Sequence, residues 1–390
     1  AGELGNGTTD DKLTPNLVSG GYKWASVSFG SSHTCGVEDL NNKILCWGKQ
    51  YNGRLGILSA IDHYLPTEIE GVYEIEPSKE FGLFSSGASH LCAIESMTQD
   101  MYCWGSYSNG QLANGDLDSR FNPAPILGGR NWKNLSINNY SNCAIEDVTN
   151  DMYCWGSNVY GQLGVLDNPE YSTSAVIVSG GIKWLESSSG YMHVCGIEDI
   201  TKDLYCWGYN TAGQLGVGDT IDRSNPGFVF GGQDCVKISG GGHTTCALED
   251  VTSDLYCWGS NSKGQLGVGD TTNRNVPTLV SGGHKWSSSI SGNQDNFCAI
   301  EDVTNDLYCW GSNSKGQLGI GNTVDKMVPT LVSGNIKWAN VSVGLSHVCA
   351  IEEGTKKIHC WGHNAYGQLG VDDTTDRSVP SLVSGVYTST

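Results

Sequence analysis

The sequence predicts an all-β fold, a β-propeller with one blade in each of seven repeats of about 52 residues. The tripeptide Cys-Trp-Gly occurs seven times, at steps of 57, 51, 52, 51, 52 and 51 residues. A period near 50 residues with several short strands in each unit is typical of propeller blades. The apolar runs span four to six residues and end at Gly, Asn, Asp or Pro, as strands do. No window of a dozen residues has the apolar stripe of a helix.

Every repeat has the same order of segments. A first strand such as Trp338 to Gly344 is followed by H-x-C-A-I-E, a four-residue turn and D-L-Y-C-W-G. A glycine-rich loop, G-Q-L-G-x-G-D-T-T, and the segment x-V-P-T-L-V complete a repeat of three or four strands. We expect one propeller domain over residues 1–390, with seven head–tail repeats in residues 21–390. Residues 1–20 form an additional N-terminal tail that is a candidate to close the ring, because residues 2–20 and 367–385 both match the tail.

Fourteen of the fifteen cysteines form seven C-x10-C pairs, one in each repeat. With the turn placed at Asp302 to Asn305, Cys298 lies directly opposite Cys309 on an antiparallel strand. The two Cβ atoms would then lie roughly 4.5–5.5 Å apart, a separation that a disulfide can bridge. The predicted disulfides are Cys35–Cys46, Cys92–Cys103, Cys143–Cys154, Cys195–Cys206, Cys246–Cys257, Cys298–Cys309 and Cys349–Cys360. Zinc is disfavoured because its sites need C-x2–4-C spacings and four converging ligands.

Cys235 is the unpaired thiol that remains. It lies 11 residues before Cys246, just as Trp184 lies 11 residues before Cys195. We therefore interpret it as a small buried side chain in a tryptophan position, with an intermolecular disulfide as the alternative. Seven persistent disulfides predict an oxidising compartment, either extracellular or at the cell surface.

Composition argues against several classes of partner. The formal net charge is −19 over 390 residues, with 22 Lys and Arg against 41 Asp and Glu. Nucleic acids and anionic membrane surfaces are bound through clustered Lys and Arg, so neither is an expected partner. No run of about 18 apolar residues is present, so we expect no membrane insertion.

These repeats resemble the regulator of chromosome condensation repeat family, in its secreted, disulfide-containing branch. The shared motif is G-x-x-H-x-C-A-I, then C-W-G-x-N-x-x-G-Q-L-G-x-G-D-T, then V-P-x-L-V; it is plainest at Gly344–Val383, Gly259–Val280 and Gly311–Val332. The resemblance covers essentially the whole chain and implies a seven-bladed β-propeller. It leaves function open, because this fold serves exchange factors, ligases, photoreceptors, inhibitors and adhesive modules.

The positions that escape the repeat are the candidate binding residues, because they lie in predicted loops and propeller loops form binding surfaces. The candidate partner-binding residues are Tyr51, Tyr107, Tyr140, Tyr160, Tyr191, Tyr209 and Tyr366. Four N-x-S/T sequons are candidate glycosylation sites of a glycoprotein. They are Asn6, Asn134, Asn139 and Asn340.

Other recurrent residues are assigned to structure. The repeated histidines His33, His90, His193 and His347 suggest ties between a strand and a neighbouring loop rather than a metal site. The acidic residues around each hairpin turn suggest turn chemistry and a soluble surface, although calcium is an alternative. No residue set forms a catalytic constellation, so we expect no enzyme activity, no catalytic residue, no metal and no cofactor.

Three function hypotheses remain. The first is a secreted or cell-surface, non-catalytic interaction or structural module that binds a protein or glycan partner through propeller-face loops, with self-assembly as a further option. The second is a regulator of a small GTPase, similar to an exchange factor, which rests on family analogy alone. The third is a glycan-binding, lectin-like propeller, which would need similar aromatic and amide residues in the same loop of several blades. Tyr51, Tyr160 and Tyr366 point in this direction, although they are not in strict register.

Overall fold

The computed structural model describes residues 2–69, 81–87, 89–106, 109–138, 140–167, 169–231 and 234–384. These residues form 28 strands and no helix, arranged as seven four-stranded sheets. The structure thus confirms the predicted all-β fold and its seven blades. In the described residues, no helix is long and apolar enough to cross a membrane.

Each blade consists of four strands that follow one another in the chain and pair in that order. Blades 1 to 4 are β1 (Trp24–Phe29), β2 (His33–Glu38), β3 (Ile44–Gly48), β4 (His63–Glu68); β5 (Phe81–Ser86), β6 (His90–Glu95), β7 (Met101–Gly105), β8 (Arg120–Pro125); β9 (Trp132–Ile137), β10 (Ser141–Glu146), β11 (Met152–Ser157), β12 (Tyr171–Ile177); and β13 (Trp184–Ser189), β14 (His193–Glu198), β15 (Leu204–Gly208), β16 (Arg223–Phe228). Blades 5 to 7 are β17 (Cys235–Gly240), β18 (Thr244–Glu249), β19 (Leu255–Gly259), β20 (Arg274–Leu279); β21 (Trp286–Gly292), β22 (Asn296–Glu301), β23 (Leu307–Gly311), β24 (Lys326–Leu331); and β25 (Trp338–Val343), β26 (His347–Glu352), β27 (Ile358–Gly362), β28 (Arg377–Leu382).

The hairpin between the second and third strands has the predicted register. Cys298 pairs with Cys309, and Ala299 pairs with Tyr308. The backbone amide of Glu301 donates to the carbonyl of Asp306, which closes the turn. All seven predicted disulfides are present, and their Cα atoms are 4.1–4.2 Å apart. Each disulfide therefore joins the two central strands of one blade.

The core lies in the layers on either side of these central strands. In blade 6 the second and third strands are almost entirely buried, whereas the first and fourth are partly exposed. In blade 7 the second strand is itself partly exposed. The tryptophan of the third strand is buried in every blade, as Trp310 is in blade 6. A blade cannot cover its sheet faces with its own residues, so a neighbouring blade covers them, as stacking of repeats requires.

The indole of the third-strand tryptophan lies in close contact with the glycine-rich loop of the preceding repeat. Gly267, in G-Q-L-G, has a φ of +70°, and a Cβ atom there would lie 2.9 Å from Nε1 of Trp310. A side chain would meet both the indole and an unfavourable backbone conformation. Glycine at this position therefore allows the loop to lie against the tryptophan.

The chain divides into two compact units. The first comprises residues 1–10, 16–192 and 223–226, and the second comprises residues 11–15, 193–222 and 227–390. In the first unit, the carbonyl of Glu3 accepts a hydrogen bond from Trp47 Nε1 at 2.8 Å. In the second unit, the carbonyl of Leu13 accepts from the amide of Asp372 at 2.8 Å. The N-terminal tail thus contributes to both units, while the C-terminal tail forms β28.

Candidate functional site

Two loops of each blade lie at the same edge of its sheet. Because successive strands run in opposite directions, the connection between the first and second strands shares an edge with the connection between the third and fourth. We call this the loop edge, and the opposite edge, with the hairpin between the second and third strands, the turn edge. The predicted partner-binding tyrosines that the structure describes all lie in loops of the loop edge.

A buried asparagine holds the loop between the third and fourth strands. In blade 5, Asn261 Oδ1 accepts from the amide of Leu266 at 3.0 Å. Its Nδ2 donates to the carbonyls of Asp270 and Thr272 at 2.9 and 3.0 Å. The first of these bonds recurs at Asn158, Asn210, Asn313 and Asn364, and at Gln50 through its Oε1.

The repeated glutamine ties the same loop to the next blade. Gln265 Oε1 accepts from the amide of Lys263 at 2.9 Å, and the carbonyl of Gln265 accepts from Trp310 Nε1 at 2.9 Å. Gln111, Gln214 and Gln317 present their carbonyls in the same way to Trp155, Trp258 and Trp361. The loop backbone is thus held before any partner arrives, which lowers the entropic cost of binding.

The variable side chains project from this fixed backbone. Tyr51 is 58% exposed, Tyr140 37% and Tyr366 71%. Tyr160, Tyr191 and Tyr209 are half-buried. Tyr107 lies outside the described residues. Tyrosines on a rigid loop supply large contact area at a low entropic cost, so the loop edge has the chemistry of a protein-binding surface.

The structure also brings some of these aromatic side chains together. In the first unit, the rings of Tyr140 and Tyr191 meet edge to face with centroids 5.9 Å apart, and their hydroxyl oxygens are 3.5 Å apart. The hydrogen bond between the two hydroxyl groups, followed by partial burial, raises the pKa of Tyr191. In the second unit, Tyr209 packs on His243 at 5.5 Å, and Tyr366 meets His363 at 6.2 Å.

The repeat pattern alone did not single out Arg54 or His243, which both lie at the loop edge. Arg54 stands where the other repeats have Gln, and its guanidinium lies 5.4 Å from the ring centroid of Tyr51. Burial lowers the pKa of Arg54, although Tyr51 and Asp62 oppose the shift. The sequence does mark Arg54, because this arginine replaces the glutamine that the other repeats have in G-Q-L-G or G-Q-L-A.

Two of the repeated histidines join neighbouring strands, whereas the sequence predicted ties between a strand and a neighbouring loop. Neither ring nitrogen of His33 has a hydrogen-bond partner among the described residues. His90 Nε2 lies 2.8 Å from Asn142 Oδ1, and His193 Nε2 lies 2.9 Å from Thr245 Oγ1. Each bond joins the second strands of consecutive blades. Burial lowers the pKa of His90 to about 4 and that of His193 to about 3, so both imidazoles are neutral at physiological pH.

The turn edge carries acidic residues that are used within the protein. Glu198 Oε2 accepts from the amide of Ile200 at 2.9 Å and also from Thr201. Ion pairs join Lys183 to Asp151, Lys285 to Asp254 and Lys337 to Asp306 at 2.7–2.8 Å. In the part of the chain that the structure describes, no group of three or more His, Cys, Asp or Glu side chains is arranged to hold a metal ion.

Cys235 begins β17 and lies outside the seven disulfides. Its side chain is 5% exposed. Burial, followed by the charges of Glu249, Asp234 and Asp203, raises the pKa of the thiol to about 12. The sulfur is therefore protonated and poorly placed for an intermolecular disulfide.

Three of the four sequons lie in described residues. Asn6 Oδ1 accepts from Thr8, and its Nδ2 is buried. Asn134 lies in β9, where its Oδ1 accepts from Ser187 Oγ at 3.1 Å, and Asn340 is exposed in β25. Asn139 lies outside the described residues.

Comparison with known proteins finds matches along most of the chain. Two models of the regulator of chromosome condensation (RCC1) repeat match, one at residues 203–248, 253–299, 305–351 and 357–388, the other at 24–54, 235–265 and 338–368. Ultraviolet-B receptor UVR8 of Arabidopsis thaliana is 30% identical over 388 residues, which cover 97% of this chain and 85% of that protein. E3 ubiquitin-protein ligase HERC2 of Homo sapiens is 27% identical over 354 residues, which cover 87% of this chain and 7% of that protein.

Solved structures show the same fold. Prp20p from Saccharomyces cerevisiae matches with a TM-score of 0.69 and 20% identity, over 90% of this chain and 87% of that one. At this identity the likeness concerns the fold alone. The matches therefore support the seven-bladed architecture, but they do not identify a binding partner for this chain.

Proposed function

Because the chain belongs to the regulator of chromosome condensation (RCC1) repeat family, we propose that it is a non-catalytic interaction module, secreted or at the cell surface, whose loop edge binds a partner protein. Propellers of this family are in general protein-interaction modules. The structure of Prp20p was described together with its binding to Gsp1p and histones. Here the supporting observation is the loop between the third and fourth strands. Buried Asn and Gln residues hold its backbone, and exposed aromatic residues vary from blade to blade.

The disulfides support the extracellular part of the proposal. The cytosol keeps thiols reduced, so seven disulfides, one in each blade, are not expected to persist there. Reduction of these disulfides in the cytosol also weighs against a regulator of a cytosolic small GTPase. HERC2 is named as a ligase, but the match to this chain covers only 7% of HERC2. The name therefore supports no enzyme activity here.

A lectin-like function has one observation in its favour. Tyr160 and Tyr366 occupy the same position of their loops, directly before the glycine of G-Q-L-G. Lys263 and Lys315 take this position in blades 5 and 6, so the aromatic platform is not repeated. A protein partner that reads a different side chain in each blade fits this variation better.

The redox state of the native protein tests the location. Protein from its natural source should be unfolded without reductant, alkylated, and weighed intact. We expect one label on each chain, at Cys235, because fourteen cysteines are bridged. Unfolding is needed because the native thiol is buried. Fourteen or fifteen labels would overturn the extracellular proposal and favour the GTPase regulator.

Paired variants test the loop edge. Fluorescently labelled protein would be titrated onto intact cells of its source organism, and bound protein would be counted by flow cytometry. Tyr51→Ser/Tyr160→Ser/Tyr366→Ser should weaken saturable binding at least tenfold. The matched control is Val148→Ser/Val251→Ser/Val303→Ser, which removes exposed apolar side chains from the turn edge. A loss in the control with none in the tyrosine variant would place binding at the turn edge and contradict the proposal.

A further inference from the structure

Blade 5 departs from its sister blades at two consecutive residues. Four repeats have Lys-Trp where the first strand begins, and blade 5 has Asp234-Cys235. The Lys-Trp pairs are residues 23–24, 183–184, 285–286 and 337–338. Blade 5 therefore lacks both an indole ring and an ammonium group that these repeats possess.

The tryptophan of the sister blades packs on two side chains of the third strand. The ring centroid of Trp286 is 5.8 Å from those of both Tyr308 and Trp310. Trp132 is placed in the same way, 5.6 Å from Tyr153 and 6.2 Å from Trp155. The corresponding residues of blade 5 are Tyr256 and Trp258, and the side chain that faces them is Cys235.

The lysine of the sister blades neutralises a carboxylate at the end of the preceding hairpin. Lys285 Nζ lies 2.7 Å from Asp254 Oδ1, and Lys337 Nζ lies 2.8 Å from Asp306 Oδ1. The corresponding pair in blade 5 is Asp203 and Asp234, so the cation has been replaced by a second anion. Lys202, next to Asp203, directs its ammonium to Asp199.

A cavity of about 120 Å³ remains where the indole would lie. Its buried walls include Leu204, Cys235, Ala247 and Trp258. Half-buried Tyr256 and Glu249 also line it, and the exposed carboxylate of Asp234 stands at its rim. The volume approaches that of an engineered cavity of about 150 Å³ that binds benzene, so the cavity can hold one aromatic ring, and the rest of a fused ring system would extend to its rim.

The charge around the cavity selects the kind of ring compound. The carboxylates of Glu249, Asp234 and Asp203 all lie close enough to disfavour a thiolate at Cys235. Carboxylates together with the faces of Tyr256 and Trp258 attract an organic cation. An anionic ring compound would meet repulsion at the same rim.

We propose that this cavity binds a small arylalkylammonium compound, whose ring takes the place of the missing indole and whose ammonium group takes the place of the missing lysine. The proposal accounts for both replacements together, because the loss of tryptophan leaves space for the ring and the loss of lysine leaves carboxylates for the ammonium group. The inference is independent of the proposed partner binding, since the cavity lies in β15, β17, β18, β19 and β20 and the loop between blades 4 and 5. The full chain can therefore be tested with the compound alone.

Calorimetric titration of the full chain with tryptamine tests the proposal, because tryptamine carries both missing groups. We expect tryptamine to bind at least tenfold more tightly than indole-3-propionate, which has the same ring and the opposite charge. Cys235→Trp should abolish binding and raise the Tm, because the indole fills the cavity. Asp234→Lys should weaken tryptamine at least tenfold by restoring the ion pair with Asp203.

The control is Asp302→Lys, which makes the same charge change at an exposed carboxylate of blade 6. It should leave tryptamine binding within twofold of the parent protein. Equal affinity for tryptamine and indole-3-propionate, or binding that survives both cavity variants, would overturn the assignment. Absence of binding by the parent protein would also overturn it and would leave the cavity as a packing defect. If Cys235→Trp fails to fold, the Asp234→Lys and Asp302→Lys pair decides the question alone.

Discussion

At the scale of single residues, one buried amide decides whether a loop has a fixed form. Asn261 is fully buried and makes hydrogen bonds to the backbone at three points of the loop that follows it. Buried polar groups keep their partners because an unsatisfied one costs about 1–3 kcal/mol. The loop can vary at Ser262 and Lys263 because its conformation depends on Asn261 and Gln265 instead. This division allows the exposed side chains of the loop to change while the fold stays constant.

Asn261→Ala should loosen one loop of blade 5 and leave the corresponding loop of blade 6 unchanged. The Leu266 amide would lose its acceptor, so its hydrogen exchange should accelerate at least tenfold. Exchange measured by mass spectrometry on peptides covering residues 261–273 and 313–325 gives the variant and its internal control in one experiment. Unchanged exchange at Leu266 would show that Gln265 and the glycines hold the loop without the asparagine.

At the scale of the element, the hairpin of the second and third strands is the common unit of the blades. Its register places Cys298 opposite Cys309 and Trp310 opposite Phe297, so the disulfide and the indole lie on successive pairs of the ladder. Asn305 has a φ of 56° in the turn, which asparagine tolerates better than most residues. The amide of Asn305 donates to the carbonyl of Glu301 and completes the turn. Turn, register and disulfide therefore support the same conformation.

Removing one disulfide should weaken its blade measurably. Cys298→Ala/Cys309→Ala opens a loop with a sequence separation of 11 residues, and chain-entropy estimates give a loss of about 3 kcal/mol. Differential scanning calorimetry should show a lower Tm with the other six bridges intact. Cys235→Ala, which also replaces a buried cysteine with alanine but breaks no disulfide, is the control. A Tm equal to that of the parent protein would show that strand pairing alone sets the stability of the hairpin.

At the scale of the whole molecule, a net charge of −19 coexists with neutral imidazoles inside the blades. Burial, Arg54 and His90 lower the pKa of His33 to about 3, and burial lowers that of His193 to the same value. In the unfolded chain, histidine has a pKa near 6.5. The unfolded state therefore takes up protons first as the pH falls, and stability declines from about pH 6.5 towards the folded values. Hydrogen bonds from Lys285 and Lys337 hold the pKa of Asp254 and Asp306 below its usual value despite burial, so their contribution is also lost in acid.

The Tm should consequently fall steadily between pH 7 and pH 4. His193→Asn removes one proton-binding group, so its Tm should depend less steeply on pH. Thr244→Asn changes the corresponding position of blade 5 without removing a titratable group, and it should keep the slope of the parent protein. Parallel curves for all three proteins would show that the buried histidines are not the source of the pH dependence.

The sequence by itself determined the fold class, the number of blades, the hairpin register and all seven disulfides. It could do so because these features are local. The pattern repeats about every 52 residues, and the two cysteines of each pair lie in the same hairpin. The loop-edge tyrosines could also be placed, because loop positions follow from strand order. The partner and the cellular location remain proposals.

Tertiary structure decided what depends on residues distant in the sequence. The ring contact of Tyr140 with Tyr191, the pairing of His193 with Thr245 and the carbonyl of Glu3 under Trp47 all join segments more than 40 residues apart. The cavity beside Cys235 is of the same kind. The sequence showed a cysteine in a tryptophan position and predicted that it would fill the space. Only packing against Leu204, Tyr256 and Trp258 revealed that a thiol leaves most of that space unfilled, because the surrounding strands are held apart by the same hydrogen-bonded ladders as in blades that contain the indole.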